Sequence, residues 1–161
     1  MSPAARVDRD DLGFLLAKAA QHWNELLAQR FAARGFSEVS PSYGSVLLPL
    51  YEEDGLRMGE LAVRARLSKQ TMTQMIARLE RDGLVERRAD AGDGRATLIY
   101  LTARARQFEP VAAAVLAELD RLVKRRLGTE QVGVLKEAMR ELMDLDAPRF
   151  AANRGQVLNS F

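Results

Sequence analysis

Residues 68–101 read SKQTMTQMIARLERDGLVERRADAGDGRATLIYL, and the spacing of apolar residues changes once inside this stretch. From Lys69 to Arg81 the apolar positions Met72, Met75, Ile76 and Leu79 recur every three or four residues, which is one face of a helix. Ser68 stands where an N-cap is needed, and Asp82-Gly83 supplies the stop. After Gly83 the period shortens. Leu84-Val85-Glu86-Arg87-Arg88 and Thr97-Leu98-Ile99-Tyr100-Leu101 read as strands. Between them Ala89 to Ala96 holds two glycines and two aspartates, so the pair is expected to form a β-hairpin. Its loop is expected to be longer than a tight turn and to project.

Working upstream, Gly59 to Arg66 reads as a short helix with Leu61, Ala62 and Ala65 inward, interrupted at Leu67-Ser68. Two short helices joined tightly and followed by a hairpin describe a winged helix-turn-helix. A lone hairpin is marginal in water and must pack on helices. Ser40-Pro41 reads as an N-cap with proline at the first helical position, opening a segment with Val46, Leu47, Leu50 and Tyr51 on its apolar face. Pro49 inside it predicts a kink or an early stop, and Gly55 closes it. The first long helix is expected from Asp11 to Ala33, on Leu12, Leu15, Leu16, Ala19, Trp23, Leu26 and Leu27, ending near Gly35.

Downstream, Thr102 is a natural N-cap for a helix that runs to about Leu127, with Phe108, Val111, Val115, Leu116, Leu119, Leu122 and Val123 on one face. Gly128 stops it. Thr129-Glu130 opens another, carrying Val132, Leu135, Ala138, Met139, Leu142 and Leu145, with Pro148 as its end. The tail from Arg149 to Phe161 has no clear period. The expected fold class is therefore mainly α: a winged helix-turn-helix over residues 41–101, flanked by long helices at 11–35 and 102–161.

The chain has 161 residues, a formal net charge of +2, one His and no Cys, and is 47% hydrophobic and 29% charged. That length suits one domain. Without Cys there are no disulfides, thiolate nucleophiles or Cys-ligated zinc, and one His leaves no His-rich metal site. No cofactor is expected. No uncharged apolar run approaches the ~20 residues of a membrane helix. Met1 to Asp11 carries acids and lacks the apolar core of a signal peptide, so a cytoplasmic location without membrane contact is expected. The small net charge hides a polarity. Residues 57–106 hold 11 Lys+Arg against 6 Asp+Glu, while the remainder is mildly acidic. An anionic partner on the middle segment accounts for this, as does chance drift of a short window.

The major groove of DNA admits one helix, which must offer polar side chains near its N-terminus to reach base edges. Opposite its apolar stripe the Lys69–Arg81 helix offers Lys69, Gln70, Thr73 and Gln74 there, with Ser68 and Thr71 at the same end. Gln can bond adenine in a bidentate way, Thr can touch a thymine methyl, and Lys can reach guanine or phosphate. Arg78 and Arg81, further along, suit the DNA backbone. A solvated helix face is the plainer reading of any isolated polar stripe, and the adjoining hairpin weighs against it. In the hairpin, Arg95 beside Gly92, Asp93 and Gly94 suits a minor groove, where narrow A·T tracts concentrate negative potential. Asp93 is expected to pair with an arginine and fix the loop.

The residues Leu61-Ala62, Leu67-Ser68, Thr71-Met72-Thr73, Leu79 to Arg87, Asp90, Asp93-Gly94-Arg95-Ala96 and Leu101-Thr102 together resemble the MarR family of bacterial transcriptional regulators. Two departures stand out. Ala91 stands where that family often has proline, and Ala103-Arg104-Ala105 follows Leu101-Thr102 where it often has glycine. The resemblance implies a homodimer joined by first and last helices, with each subunit on half of a pseudo-palindromic operator. It also implies a repressor released by a small aromatic or anionic effector. His22 and Trp23 lie near where the family's ligand crevice opens, and Tyr51 is a further candidate, although Trp23 on an apolar stripe also reads as core. The alternative is a small-molecule-binding helical dimer, or an enzyme, without DNA binding. Glu52-Glu53-Asp54 is an acidic run with no nucleophile beside it, and no catalytic constellation emerges.

Overall fold

Asp11 caps the first helix, α1 (Leu12–Ala33), its carboxylate accepting from the amides of Gly13 and Phe14. The computed structural model describes residues 8–145. The reading of Pro148 as a helix stop, the tail beyond it and the stretch 1–7 lie outside the described residues. The expected Ser40-Pro41 start takes a different form. Pro41–Tyr43 makes a short 3-10 turn before α2 (Gly44–Glu52) begins, and the Ser40 hydroxyl pairs with Ser42 instead of capping. Pro49 does not stop α2, which runs on to Glu52. Proline lacks an N–H and crowds the preceding turn, yet its carbonyl still accepts from Glu53, 3.0 Å away.

A short strand that sequence periodicity does not signal, β1 (Leu56–Arg57), precedes α3 (Met58–Arg64). Leu61 and Ala62 are buried as expected, whereas Ala65 is half-buried past the helix end. α4 (Lys69–Arg81) carries its Ser68 cap, and Met72, Ile76 and Leu79 are fully buried. It ends in a Schellman pattern. Leu84 N–H reaches Leu79 O at 2.8 Å, Gly83 N–H reaches Glu80 O at 3.1 Å, and Gly83 takes φ +74.

The hairpin differs most from expectation. β2 (Val85–Asp90) and β3 (Asp93–Leu101) pair antiparallel from Val85↔Leu101 to Asp90↔Asp93, so the turn is Ala91-Gly92 alone. The expected long loop is instead ladder, with a register irregularity at Ala89/Asp90. The Asp90 carboxylate accepts from the Gly92 amide at 2.9 Å, closing the turn as an Asx-type bond, and also holds Arg57 of β1. Nor is the hairpin alone. β1 adds to β3 through Leu56↔Ile99 and Arg57↔Leu98, making a 3-stranded sheet of order β1-β3-β2.

α5 (Ala103–Leu127) starts behind Thr102, whose hydroxyl oxygen accepts from Ala105 N–H. α6 (Thr129–Asp144) follows Gly128. The chain divides into two compact units, Met1–Val115 and Leu116–Phe161, with the division inside α5. In the first unit Leu47, Leu50, Leu61, Met72, Ile76 and Ile99 make the core, and Phe108 meets Phe31 edge-on at 4.8 Å. Arg104 fastens the loop after α1 to the start of α5: its Nε bonds Glu38 at 2.6 Å and its guanidinium lies over Phe36. In the second unit the Asp120 carboxylate joins Lys124 of α5 and Lys136 of α6, at 2.6 and 2.8 Å. No helix among the described residues is long and apolar enough to cross a membrane.

Candidate nucleic-acid interface

α4 turns its Met72/Ile76/Leu79 stripe into the core, so helical geometry leaves Lys69, Gln70, Thr73, Gln74, Arg78 and Arg81 on the outside, all exposed. The N-terminal end of α4 is tied by local side-chain bonds. Ser68 Oγ accepts from Thr71 N–H at 3.1 Å and shares a 2.8 Å bond with Thr71 Oγ1. Thr73 Oγ1 donates back to Lys69 O at 2.9 Å. Ser68, Thr71 and Thr73 thus spend polar atoms on their own helix. Gln70 and Gln74, one turn apart, make no side-chain hydrogen bond among the described residues and keep their full donor and acceptor sets outward.

The cations separate in the same manner. Arg81 Nε bonds Asp82 at 3.1 Å, Arg87 bonds Glu80 at 3.1 Å, and Arg88 is held by Glu86 while lying over the Tyr100 ring. Lys69, Arg78 and Arg95 carry no ion pair among the described residues, so their charge is free for an anion. The expected arginine pair at the hairpin turn exists, but on a different aspartate. Asp90 holds Arg57 at 2.6 Å, whereas Asp93 accepts only the backbone amide of Arg95, at 3.2 Å. The cause is register: Asp90 ends β2 two strands away from Arg57, and Arg57 reaches across β3 to it. Arg95 accordingly sits on β3, next to the turn, and not on a loop. The Gly92 amide and Arg57 hold the Asp90 carboxyl below its ordinary range.

The three residues expected at a ligand crevice have separate surroundings. His22 is exposed on α1, 3.7 Å from Glu25. Trp23 is half-buried on the same helix. The Tyr51 hydroxyl on α2 donates to Ala105 O at 2.8 Å, and burial followed by the Glu109 charge pushes its pKa up. Two connections were not legible in the sequence. Tyr43 OH donates to Asp82 Oδ2 at 2.5 Å, and Asp54 accepts from the Leu101 amide at 2.8 Å while pairing with Arg106. Asp82 and Asp54 stand as plain turn acids in the chain, and their partners are far away in sequence.

The model of the MarR family matches residues 37–96, from just before the 3-10 turn into the first part of β3. The HTH-type transcriptional repressor Rv2887 of Mycobacterium tuberculosis is 34% identical over 93 residues, covering 58% of this chain and 67% of that protein. The chain belongs to the MarR family. It is therefore a transcriptional regulator of the winged helix-turn-helix type. Two solved structures share its fold. The regulator PcaV of Streptomyces coelicolor, in complex with its natural ligand, superposes with TM-score 0.73 at 24% identity, over 88% of this chain and 99% of that one. The repressor CouR, bound to a 23-mer DNA duplex, gives 0.70 at 24% identity, over 86% and 99%.

Proposed function

We propose that this MarR-family chain is a homodimeric repressor that reads a pseudo-palindromic operator and lets go when a small aromatic or anionic effector binds. The observation that carries the reading is the free polar face of α4. Gln70 and Gln74 meet base edges, Lys69 meets guanine or phosphate, and Arg78 and Arg81 meet the backbone. Ser68, Thr71 and Thr73 hold the reading end of the helix in shape, and Thr73 keeps its methyl available to thymine. Arg95 enters the minor groove beside the turn that Asp90 and Asp93 stiffen. CouR, which shares the fold, is a repressor seen on duplex DNA, and this supports the same mode here.

Residues 41–101 form the reading lobe and the helices within 11–35 and 102–161 form the dimer. Support comes from each end separately. Leu12, Phe14 and Leu15 on α1 are 57, 41 and 46% exposed, and Val134 on α6 is 66% exposed, which is apolar surface that a second copy covers. The effector reading is supported by PcaV with its natural ligand, and His22, Trp23 and Tyr51 are the residues to test for it.

A footprint on the DNA upstream of the chain's own gene and its neighbours tests the reading. Protection of two half-sites centred about 10 bp apart is expected. Affinity should fall steeply with added salt, because binding releases condensed counterions and added salt opposes that release. Protection of a single half-site at saturation, or indifference to salt, overturns it.

A further inference from the structure

The turn that ends α4 is tied to two other elements at once. Tyr43 is 4% exposed, at the junction of the 3-10 turn and α2, and its hydroxyl reaches the Asp82 carboxylate at 2.5 Å. Asp82 also takes the Nε of Arg81 at 3.1 Å. Next along the chain, Gly83 O accepts from the Thr102 hydroxyl at 2.6 Å, and Leu84 O accepts from the Thr102 amide at 3.1 Å. Thr102 is in turn the cap of α5. Removing any one of these bonds leaves the Schellman pattern of α4 intact, since that pattern uses only backbone groups. What the bonds govern is the direction in which the helix leaves its anchor.

The lever is long compared with the tolerance at its far end. From Asp82 the helix rises about 18 Å to Gln70 and about 12 Å to Gln74, so play of about 5° at the anchor moves the two glutamines by about 1.5 and about 1 Å. A bidentate bond to a base fails at that displacement, because hydrogen bonds weaken steeply outside about 3.2 Å. Attraction between Lys69 or Arg78 and phosphates survives it, being long-ranged and non-directional. Burial and the Asp82 charge both raise the Tyr43 pKa, and the Tyr43 bond, then Arg81, lowers that of Asp82, so the donor stays protonated and the acceptor ionised through the neutral range.

We propose that Tyr43 is a positioning residue for sequence discrimination: its hydroxyl, through Asp82, sets the angle at which α4 presents Gln70 and Gln74. The inference rests on the DNA-reading assignment above. Tyr43 itself is buried in the core and acts through Asp82.

The probe is the duplex that the full-length wild-type protein enriches from a random 30-bp pool, set against an unselected duplex of equal length. Tyr43→Phe keeps the buried ring and removes only the donor. Its affinity for the enriched duplex is expected to fall about tenfold relative to the unselected one, with the salt slope on the unselected duplex unchanged. Asp82→Asn retains an oxygen that accepts from Tyr43 and should keep most of the discrimination, whereas Asp82→Ala should lose it. An unchanged ratio in Tyr43→Phe overturns the proposal. So does an equal loss on both duplexes with a lowered unfolding midpoint, which marks a merely structural bond. If the wild-type protein enriches no sequence at all, the DNA-reading assignment itself falls, and that result is distinct from either.

Discussion

Gln74 and Arg78 are neighbours one turn apart on α4, both exposed, and their chemistry separates two kinds of contact. An amide offers a matched donor and acceptor to one base but no charge to a phosphate; a guanidinium without an internal partner serves any phosphate. Gln74→Ala is expected to weaken the cognate duplex by ~1–3 kcal/mol and random DNA hardly at all. Arg78→Ala is expected to weaken both and to lower the slope of log affinity against log salt by about one. Titration of each variant on both duplexes over a salt series measures this. Equal losses on both duplexes from both variants would mean that this face of α4 is turned away from the bases. Arg81 is the useful contrast: its Asp82 partner already neutralises it, so its removal should change the salt slope less than Arg78 does.

The pair α5 and α6 shows how far one carboxylate can tie two helices. Asp120 accepts from Lys124 on its own helix and from Lys136 on the next, and the two ammonium groups draw its pKa down to about 2. A depressed carboxylate contributes stability that is fully present above the ordinary carboxylate range and is lost as pH falls through about 2. The groups are solvent-facing, so salt screens them. Asp120→Asn is therefore expected to lower the thermal midpoint by a small, constant amount at neutral pH. The gap from wild type should close progressively in acid and shrink at high salt. Melting curves of the two proteins from pH 7 down to pH 2 measure it, and a gap that widens in acid would contradict the sign.

The proposed dimer would turn one small reading head into a two-headed one, and the apolar residues left bare on α6 offer a direct test. Val134 is 66% exposed, so a charge there costs the isolated chain almost nothing. Buried against a second copy, the same charge would be uncompensated and strongly destabilising. Val134→Glu is expected to keep the helical circular dichroism of the wild type while halving the mass in sedimentation, and to lose most operator affinity because two half-sites no longer bind together. A dimer of unchanged mass would place the interface elsewhere.

Much of this was legible in the chain because it is local. The Ser68 and Thr102 caps, the Gly83 stop and the Met72/Ile76/Leu79 stripe each depend on residues within a turn or two of one another, so spacing alone identifies them. The outward polar face of α4, proposed to read DNA, follows from the same stripe, since the polar residues lie opposite. Other features depend on partners brought near by folding. β1 is two residues long and exists because Leu56 and Arg57 find β3. The hairpin turn tightened to Ala91-Gly92 because Asp90 could satisfy Gly92 and Arg57 together, an arrangement invisible to a count of glycines. Asp82 and Asp93 look alike as turn acids in the sequence. In the fold one is gripped by a buried tyrosine 39 residues away and the other bonds its own backbone, because hydrogen bonding follows distance in space and not along the chain.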